Sequence, residues 1–235
     1  PMIVHGSGLR ESMVMTNTDS IAPAHVRRRG TYAKTEATRQ AILDAALEVF
    51  SGSGYRSGSL REIAVRVGMS EAGLLHHFRN KSALLEAVLA AKDDRARSIV
   101  PSDSEDGAAV LRGLITLAEY NMSIPGVVEL FATLSAEATA PDHPAHAYFV
   151  RRYAFTRTTI ERALTNLERD GRLRHGMTPR RAAITIIALM DGLQIQWLLD
   201  RSVLDMAEEL RALFMTFADI DWDAETGGSG AEEDD

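Results

Sequence analysis

The sequence predicts an all-α protein, with a helix-turn-helix unit near the N-terminus and a larger helical body after it. Three observations support this prediction. Apolar residues recur at intervals of three and four over most of the chain, which is the period of an amphipathic helix. No stretch alternates apolar and polar residues for long enough to predict a strand. Residues 59–81 contain two short helical patterns that meet at one glycine, the arrangement of a helix-turn-helix.

Composition and charge agree with a globular protein that has one basic region. Of the 235 residues, 45% are hydrophobic and 25% charged. The absence of cysteine excludes disulfides, thiolate catalysis and cysteine-ligated zinc, and it fits a reducing, cytoplasmic location. The net charge is −7, yet residues 27–97 hold 13 basic and 8 acidic residues, a balance of +5, whereas residues 219–235 hold 8 acidic residues and no basic one. Positive charge around 59–81 is what DNA affinity requires.

The N-terminal segment, residues 1–33, is expected to be a disordered arm, because it has no sustained helical period and too few consecutive apolar residues for a secretory signal. Three consecutive arginines, Arg27 to Arg29, lie near its C-terminal end. Of these, Arg28 and Arg29 are candidates for contact with DNA phosphates or a minor groove; the alternative is a solvated tail.

The first predicted helix runs from Glu36 to Ser51, with Thr35 as its N-cap and with Gly52 and Gly54 ending it. Its expected buried face consists of Ala37, Ala41, Ile42, Ala45, Ala46, Val49 and Phe50.

The second helix begins after Ser59, which forms a capping box with Glu62. Its apolar face consists of Leu60, Ile63, Ala64 and Val67. Gly68 can adopt the left-handed conformation that ends this helix, and Ser70 can cap the third one. Two helices joined by so short a turn cannot lie parallel, so the third helix is free to enter a major groove.

The third helix, from Ser70 to Phe78, is composed for exposure. Leu74 and Phe78 can face the core, while the small residues Ala72 and Gly73 allow close approach to base edges. The residues expected to point outward or sideways are Glu71, Ala72, Gly73, Leu75, His76 and His77. Imidazoles can donate to phosphates or purine acceptors. The alternative is an ordinary helical corner in an all-α core.

A fourth helix is predicted from Asn80 to about Ser98, and Lys81 in its first turn suggests a bound phosphate at that helix end. Helices are then expected at 107–123, 125–139, 143–170, 179–200 and 203–219, divided by prolines and glycines. We therefore predict a DNA-binding domain over 34–80, a helical body over 81–221 and an acidic disordered tail over 222–235.

Residues 182–199 are apolar nearly all round the predicted helix, which indicates burial on more than one side. Asp191, Gln194 and Gln196 interrupt the run, so no membrane span is expected. One side can serve the core of the subunit and the other a second copy of the chain. The residues predicted for this dimer interface are Ile187, Asp191, Gln194, Trp197, Leu198, Leu210, Phe214 and Phe217.

Taken together, these segments resemble the tetracycline-repressor (TetR) family of bacterial transcriptional regulators. The resemblance covers about Glu36 to Leu89, and the residues that carry it are Ile63, Ala64, Gly68, Ser70, His77, Phe78, Lys81, Leu84 and Leu85. It implies a homodimer that binds a palindromic DNA operator. The contacts implied are Ser59, Arg61, His77 and Lys81 to phosphates, and Ser70, Glu71, Ala72, Gly73 and His76 on the reading face. Leu75 stands where the family usually has tyrosine, so base preference cannot be transferred from relatives.

The resemblance also implies control by a small-molecule effector. The body offers a mixture of apolar and aromatic residues with a few polar groups, suited to a largely hydrophobic ligand. The expected pocket consists of Leu117, Tyr120, Asn121, Leu130, Phe131, Leu134, Phe149, Tyr153 and Met190; the alternative for each is a place in the core.

No catalytic motif, cofactor motif or metal site is predicted. His143 and His146 stand three residues apart, but no further ligand cluster accompanies them. The predicted function is that of a repressor released from its operator by an effector. The alternative is a helical small-molecule-binding protein or enzyme in which 59–81 is only a packing corner.

Overall fold

A computed structural model of the chain describes residues 25–174 and 176–222, with side chains from residue 34 onward. The remainder of the predicted arm and of the acidic tail lies outside these residues. The described residues form nine helices: α1 (His25–Ser57), α2 (Leu60–Val67), α3 (Glu71–His77), α4 (Lys81–Ile99), α5 (Gly107–Met122), α6 (Pro125–Glu137), α7 (His146–Arg169), α8 (Pro179–Leu199) and α9 (Met206–Phe217). The predicted all-α fold class is confirmed.

The chain divides into two units, Pro1–Ala37 and Thr38–Asp235. In the first, the described residues form the beginning of α1. All packing described below lies within the second unit.

Helix α1 differs from the prediction at both ends. It begins at His25 rather than Glu36, so part of the segment expected to be disordered is helical. Arginine is a good helix former and no proline follows Pro23 here, which allows the helix to extend towards the N-terminus. At the other end the helix reaches Ser57, but Gly54 interrupts it with a φ of 76°.

Helices α5 to α9 agree with the five predicted body helices to within three residues at each end. Local signals account for this agreement. Pro125 and Pro179 occupy the first turns of α6 and α8, where no backbone N–H is required. The Asp205 carboxylate caps α9 by accepting hydrogen bonds from the backbone N–H groups of Ala207 and Glu208.

The buried apolar residues form two clusters. The N-terminal cluster joins α1 to α4 with α6 and the first part of α7; its larger members include Phe50, Ile63, Leu74, Phe78, Leu84, Leu89, Phe131, Leu134 and Phe149. The C-terminal cluster joins α5, the second part of α7, α8 and α9; its members include Leu111, Ile160, Leu164, Ile186, Trp197, Leu210 and Phe214. The first cluster crosses the predicted domain boundary at residue 80, so the helix-turn-helix packs directly on helices of the body.

Among the described helices, α8 alone is long and apolar enough to cross a membrane by length and composition, a property that core helices of soluble proteins share. Here α8 contributes five buried residues, which are Ala182, Ala183, Ile186, Leu193 and Trp197. All five lie on one side of the helix, within an arc of roughly 100° at 3.6 residues per turn, and the opposite side remains exposed.

Candidate nucleic-acid interface and ligand cavity

The helix-turn-helix is built from local hydrogen bonds at its helix ends. The Ser59 hydroxyl caps α2 by accepting a hydrogen bond from the backbone N–H of Glu62 at 3.1 Å. Gly68 ends α2 in the left-handed conformation, with a φ of 75°, and its N–H donates to the carbonyl groups of Ala64 and Val65. Ser70 caps α3 by accepting from the backbone N–H of Gly73 at 3.1 Å. These ends leave only 68–70 between the two helices.

The two helices are anchored by a few buried side chains. Ile63 and Ala64 of α2, with Leu74 of α3, have almost no exposed surface. Phe78 directly follows α3 and is buried as well, and the guanidinium of Arg39 lies 4.5 Å from the centre of its ring. The predicted division of α3 into a buried pair and an outward face is confirmed. Packing of one side therefore presents the other side of α3 to solvent.

Most of the predicted DNA contacts are exposed, namely Ser59, Arg61, Ser70, Glu71, Ala72, Leu75 and His76. Gly73, His77 and Lys81 are half-buried. The imidazoles of His76 and His77 lie edge to face, with 6.0 Å between ring centres. Each capping hydroxyl accepts one hydrogen bond and keeps its own O–H to donate to a phosphate. The side chains of Arg28 and Arg29 lie outside the described part of the chain.

Basic side chains around α3 differ in their partners. Arg66 of α2 is held by two carboxylates, at 2.9 Å from Glu48 and 3.3 Å from Glu62. Arg61 and Arg79 are exposed and form no ion pair with any residue in 34–174 or 176–222. Arg79 was not predicted as a contact. Its place in the sequence, between the buried Phe78 and Asn80, the N-cap of α4, is the signal from which this contact could have been predicted.

Lys81 has a partner within the chain. Its Nζ donates a hydrogen bond to the carbonyl oxygen of Arg56 at 3.0 Å and lies 4.7 Å from the centre of the Tyr55 ring. Burial lowers the pKa of Lys81. Lys81 thus joins the start of α4 to the end of α1, a structural role that the sequence prediction of a phosphate contact did not include.

The body contains a cavity of about 260 Å³, one of two of similar volume among those described below. It is here called the large cavity, in contrast to a small cavity of about 60 Å³. The large cavity lies between α4, α5 and α7, with Met190 contributed by α8. Its lining consists of Asp93, Ala96, Arg97, Val100, Ser102, Leu114, Leu117, Tyr148, Arg151, Arg152, Phe155, Thr156, Thr159, Ile160 and Met190. Only Leu117 and Met190 of the predicted pocket residues lie here. The arginines were missed because a charge on a helix is normally assigned to solvent.

The other predicted pocket residues are distributed elsewhere. Phe131, Phe149, Tyr153 and Met190 line the small cavity of about 60 Å³. Phe131 also lines a third cavity of about 280 Å³ together with Tyr120. Leu130, Leu134 and Asn121 are buried and line none of these three cavities, so the structure gives these three a packing role instead.

A polar network surrounds the small cavity. The Tyr153 hydroxyl donates to Asp191 Oδ2 at 2.8 Å, which provides Asp191 with a partner inside its own subunit. Burial raises the pKa of Asp191, although this hydrogen bond and the nearby Arg152 oppose the shift. Arg152 forms an ion pair with Asp93. Lys92 Nζ lies 3.9 Å from the centre of the Phe131 ring.

The predicted dimer residues fall into two groups. Trp197, Leu210, Phe214 and Phe217 are buried in the C-terminal cluster, which corrects their assignment to the interface. A side chain enclosed by its own subunit has no surface left for a second copy. Ile187, Asp191, Gln194 and Leu198 are half-buried. The large apolar residues of α8 that are exposed are instead Ile184, Ile195 and Leu199, with 48%, 54% and 82% of their surface exposed.

His143 and His146 were considered as metal ligands in the sequence. Among the described residues, no group of three or more histidine, cysteine, aspartate or glutamate side chains is placed to hold a metal ion. His143 is buried in the connection between α6 and α7, and its ring packs edge to face on Tyr55 at 5.8 Å. His146 Nδ1 is 2.8 Å from the carbonyl oxygen of Ala138. Both histidines therefore take part in packing of this connection.

Comparison with known proteins identifies two family models in the chain. Residues 42–88 match the model described as bacterial regulatory proteins, tetR family. Residues 125–220 match the model described as the C-terminal part of BetI-type transcriptional repressors. The first match contains the helix-turn-helix and the first eight residues of α4, Lys81 to Val88, and the second contains α6 to α9.

Relatives by sequence share the N-terminal region. The chain is 44% identical over 64 residues to the HTH-type transcriptional regulator SrpR of Pseudomonas putida, a match that covers 27% of this chain and 30% of SrpR. It is 42% identical over 65 residues to the HTH-type transcriptional regulator UidR of Escherichia coli K12, covering 27% and 33%. The chain thus spans about a third of the length of these regulators.

Similar solved structures extend over most of the chain. NalD, the secondary repressor of the MexAB-OprM multidrug efflux pump in Pseudomonas aeruginosa, is 26% identical with a TM-score of 0.59, covering 78% of this chain and 98% of NalD. The complex of SmeT with triclosan has a TM-score of 0.69 at 21% identity, covering 83% and 100%. SmeT is a repressor of a Stenotrophomonas maltophilia multidrug efflux pump. At such identity, the likeness to SmeT establishes the fold.

Proposed function

We propose, because this chain belongs to the TetR family of bacterial regulatory proteins, that it is a homodimeric transcriptional repressor released from a palindromic DNA operator by a small effector. The observation that carries this proposal is the exposed face of α3, presented by two capped helices and a three-residue turn. The relatives matched by sequence are transcriptional regulators, which supports a regulatory role over a catalytic one. A repressor of this kind acts in the cytoplasm.

In the proposed complex, α3 lies in the major groove. Ser70, Glu71, Ala72, Gly73, Leu75 and His76 face the base edges. Leu75 offers apolar contact to a thymine methyl group, since leucine cannot donate a hydrogen bond. Ser59, Arg61, His77 and Lys81 contact phosphates, and Arg28 and Arg29 contact phosphates or an adjacent minor groove. The exposed guanidinium of Arg79 adds a further phosphate contact.

The proposed coupling between effector and DNA uses α4. This helix begins at Lys81, directly after the helix-turn-helix, and its later residues Asp93, Ala96 and Arg97 line the large cavity. Its 19 residues span roughly 28 Å at the rise of an α-helix. A ligand that fills the cavity shifts one end of α4, and the other end carries α3 with it. Two reading helices must match half-sites about 34 Å apart, so a small displacement weakens binding.

The proposed dimer forms through the exposed side of α8. Ile184, Ile195 and Leu199 provide an apolar surface there. A two-fold axis at this helix makes the interface self-complementary and matches the symmetry of a palindromic operator.

Selection of bound sequences from random duplex DNA with the full chain tests the proposed function. We expect enrichment of a palindrome with half-sites about one helical turn apart. Enrichment of no sequence, together with binding that is insensitive to salt, would contradict the proposal.

The contact residues are tested on the selected operator with the double variant Arg61→Ala, His76→Ala. Both side chains are exposed, so the fold should be retained. We expect a loss of operator affinity of at least about tenfold, because a lost base or phosphate contact costs roughly 1–3 kcal/mol, and a salt slope lower by about one. Arg169→Ala, at the C-terminal end of α7, removes one exposed positive charge as a control and should leave the affinity unchanged. Lys81 is avoided because of its bond to Arg56.

Coupling is tested by titrating ligands into the complex of protein and operator. Compounds that bind the large cavity should lower operator affinity. The coupling is wrong if every compound that measurably binds the body leaves that affinity unchanged.

A further inference from the structure

The large cavity combines an apolar wall with an excess of positive charge. Its apolar lining includes Val100, Leu114, Leu117, Phe155, Ile160 and Met190. Its charged lining consists of three arginines, Arg97, Arg151 and Arg152, against one acid, Asp93. A purely apolar ligand would form no hydrogen bonds with these guanidinium groups. Their presence therefore indicates a ligand that carries a polar or anionic group beside its apolar part.

The three arginines differ in how firmly they are already paired. Arg152 forms an ion pair with Asp93, which fixes both groups. Arg97 pairs with Asp94 on the surface, where at least half of each side chain is exposed, and such pairs contribute little. Arg151 forms no ion pair with any residue in 34–174 or 176–222. Arg97 on α4 and Arg151 on α7 are therefore both available to an incoming anion.

A hydroxyl group without a partner lies in the same wall. The Tyr148 hydroxyl is buried and forms no hydrogen bond with the described residues. Burial raises the pKa of Tyr148, while the positive charge of Arg97, which lines the same cavity, opposes the shift; the hydroxyl therefore keeps its proton and can donate it. A buried donor without an acceptor is unfavourable, and an anionic ligand would supply the acceptor.

We propose that the effector is an amphipathic carboxylic acid, whose carboxylate binds Arg97, Arg151 and the Tyr148 hydroxyl while its apolar part contacts Leu117 and Met190. This inference rests on the proposed function, in that it takes the large cavity as the effector site. A cavity of about 260 Å³ holds roughly nine non-hydrogen atoms if each takes the volume of a water molecule in the liquid, about 30 Å³. Guanidinium groups suit a carboxylate because they offer two parallel N–H donors.

Calorimetric titration of the full chain with matched ligands tests this chemistry. The carboxylates are hexanoate, octanoate and phenylacetate, each compared with the alcohol and the amine of the same skeleton. We expect the best carboxylate to bind at least about tenfold more tightly than its alcohol, because charge-assisted hydrogen bonds are the stronger ones, and the amine to bind more weakly than the alcohol. Equal affinity of acid and alcohol, or no binding of any of the three acids at millimolar concentration, overturns the proposal.

Variants locate the carboxylate. The double variant Arg97→Gln, Arg151→Gln should reduce the preference for acid over alcohol to about twofold or less while leaving alcohol affinity unchanged. Tyr148→Phe should weaken acid binding severalfold and alcohol binding little. Arg157→Gln changes an arginine of α7 that does not line the cavity, and should retain the full preference. A double variant that keeps the preference refutes the assignment of these two arginines.

Operator binding without ligand is measured on the same samples, which separates the two proposals. If the wild-type chain binds the operator but shows no preference for acid over alcohol, only the carboxylate proposal is refuted. An acid preference in a chain that selects no operator refutes only the repressor.

Discussion

Lys92 of α4 carries a charge in a position where burial opposes it. Its ammonium group lies over the Phe131 ring, and it forms no ion pair with the described residues. Burial, and next the repulsion of Arg152, lowers the pKa of Lys92 from 10.5 to about 7. A side chain that is ordinarily a fixed cation is therefore titratable near neutral pH, between α4 and α6.

The lowered pKa of Lys92 predicts how stability depends on pH. Between about pH 7 and 10.5 the unfolded chain binds a proton at Lys92 that the folded chain does not, so the free energy of unfolding rises with pH in this window. The rise from this group approaches about 1.4 kcal/mol per pH unit at most. Below pH 7 the full destabilisation by the buried charge is present.

Urea unfolding of the wild type and of Lys92→Met between pH 6 and 9 measures this effect. Lys92→Met should be more stable at pH 6 and should lack the rise, because methionine fills the site without a charge. Lys92→Arg keeps its charge over the whole pH range and should be less stable than the wild type at pH 9, where Lys92 is neutral in the folded chain. Parallel curves for wild type and Lys92→Met would show that Lys92 titrates normally.

At the scale of elements, the turn between α2 and α3 sets the presentation of the reading face. Gly68 has a φ of 75°, and its N–H closes α2 through the carbonyl groups of Ala64 and Val65. Side chains with a Cβ atom are strained in this conformation by about 1–2 kcal/mol, with asparagine the best tolerated. Since only three residues separate α2 from α3, no neighbouring residue can compensate for an altered backbone conformation at position 68.

Substitution of Gly68 is therefore expected to act on α3. Gly68→Val should destabilise the protein by about 1–2 kcal/mol or more and weaken operator binding, because valine is β-branched. Hydrogen exchange should become faster in α2 and α3 before the C-terminal helices are affected. Gly68→Asn is the matched variant and should keep most of the stability and affinity. If Gly68→Val exchanges like the wild type, the turn does not depend on this glycine.

At the scale of the whole molecule, the two clusters leave one apolar side of α8 uncovered. Leu199 is 82% exposed, and Ile195 and Ile184 are about half exposed. The C-terminal cluster covers the other side of the helix through Ile186, Leu193 and Trp197. The exposed side is thus the surface that the proposed dimer would bury.

The double variant Ile195→Asp, Leu199→Asp tests the dimer. Both side chains are exposed in one subunit, so thermal stability of the subunit should change little, whereas four introduced charges would meet across the two-fold axis. We expect sedimentation to report a monomer and affinity for the palindrome to fall by about two orders of magnitude. Val150→Asp places a charge on an exposed apolar residue of α7 and should leave the assembly intact. A double variant that sediments as the wild type excludes this face.

Much of the fold follows from local signals in the sequence. The predicted helix ends lie at, or within two residues of, capping residues, two prolines at helix starts and Gly68. Such ends can be predicted from the sequence because each of these residues acts within one turn of its own position. The exposed face of α3 was predicted for the same reason: helical period alone separates Leu74 and Phe78 from the outward residues. The extension of α1 to His25 was not predicted, since no cap or stop marks that end.

The sequence by itself thus determined the helices, the helix-turn-helix and the family. Only the tertiary structure decided which side of α8 is free, which residues line the cavities and how Lys81 is bound. These depend on partners far apart in the chain, as with Tyr153 and Asp191, or Lys81 and Arg56. Periodicity states that a helix has an apolar face but not which helix covers it, and hence Trp197 and Phe214 were assigned to a dimer while they fill the core of the subunit.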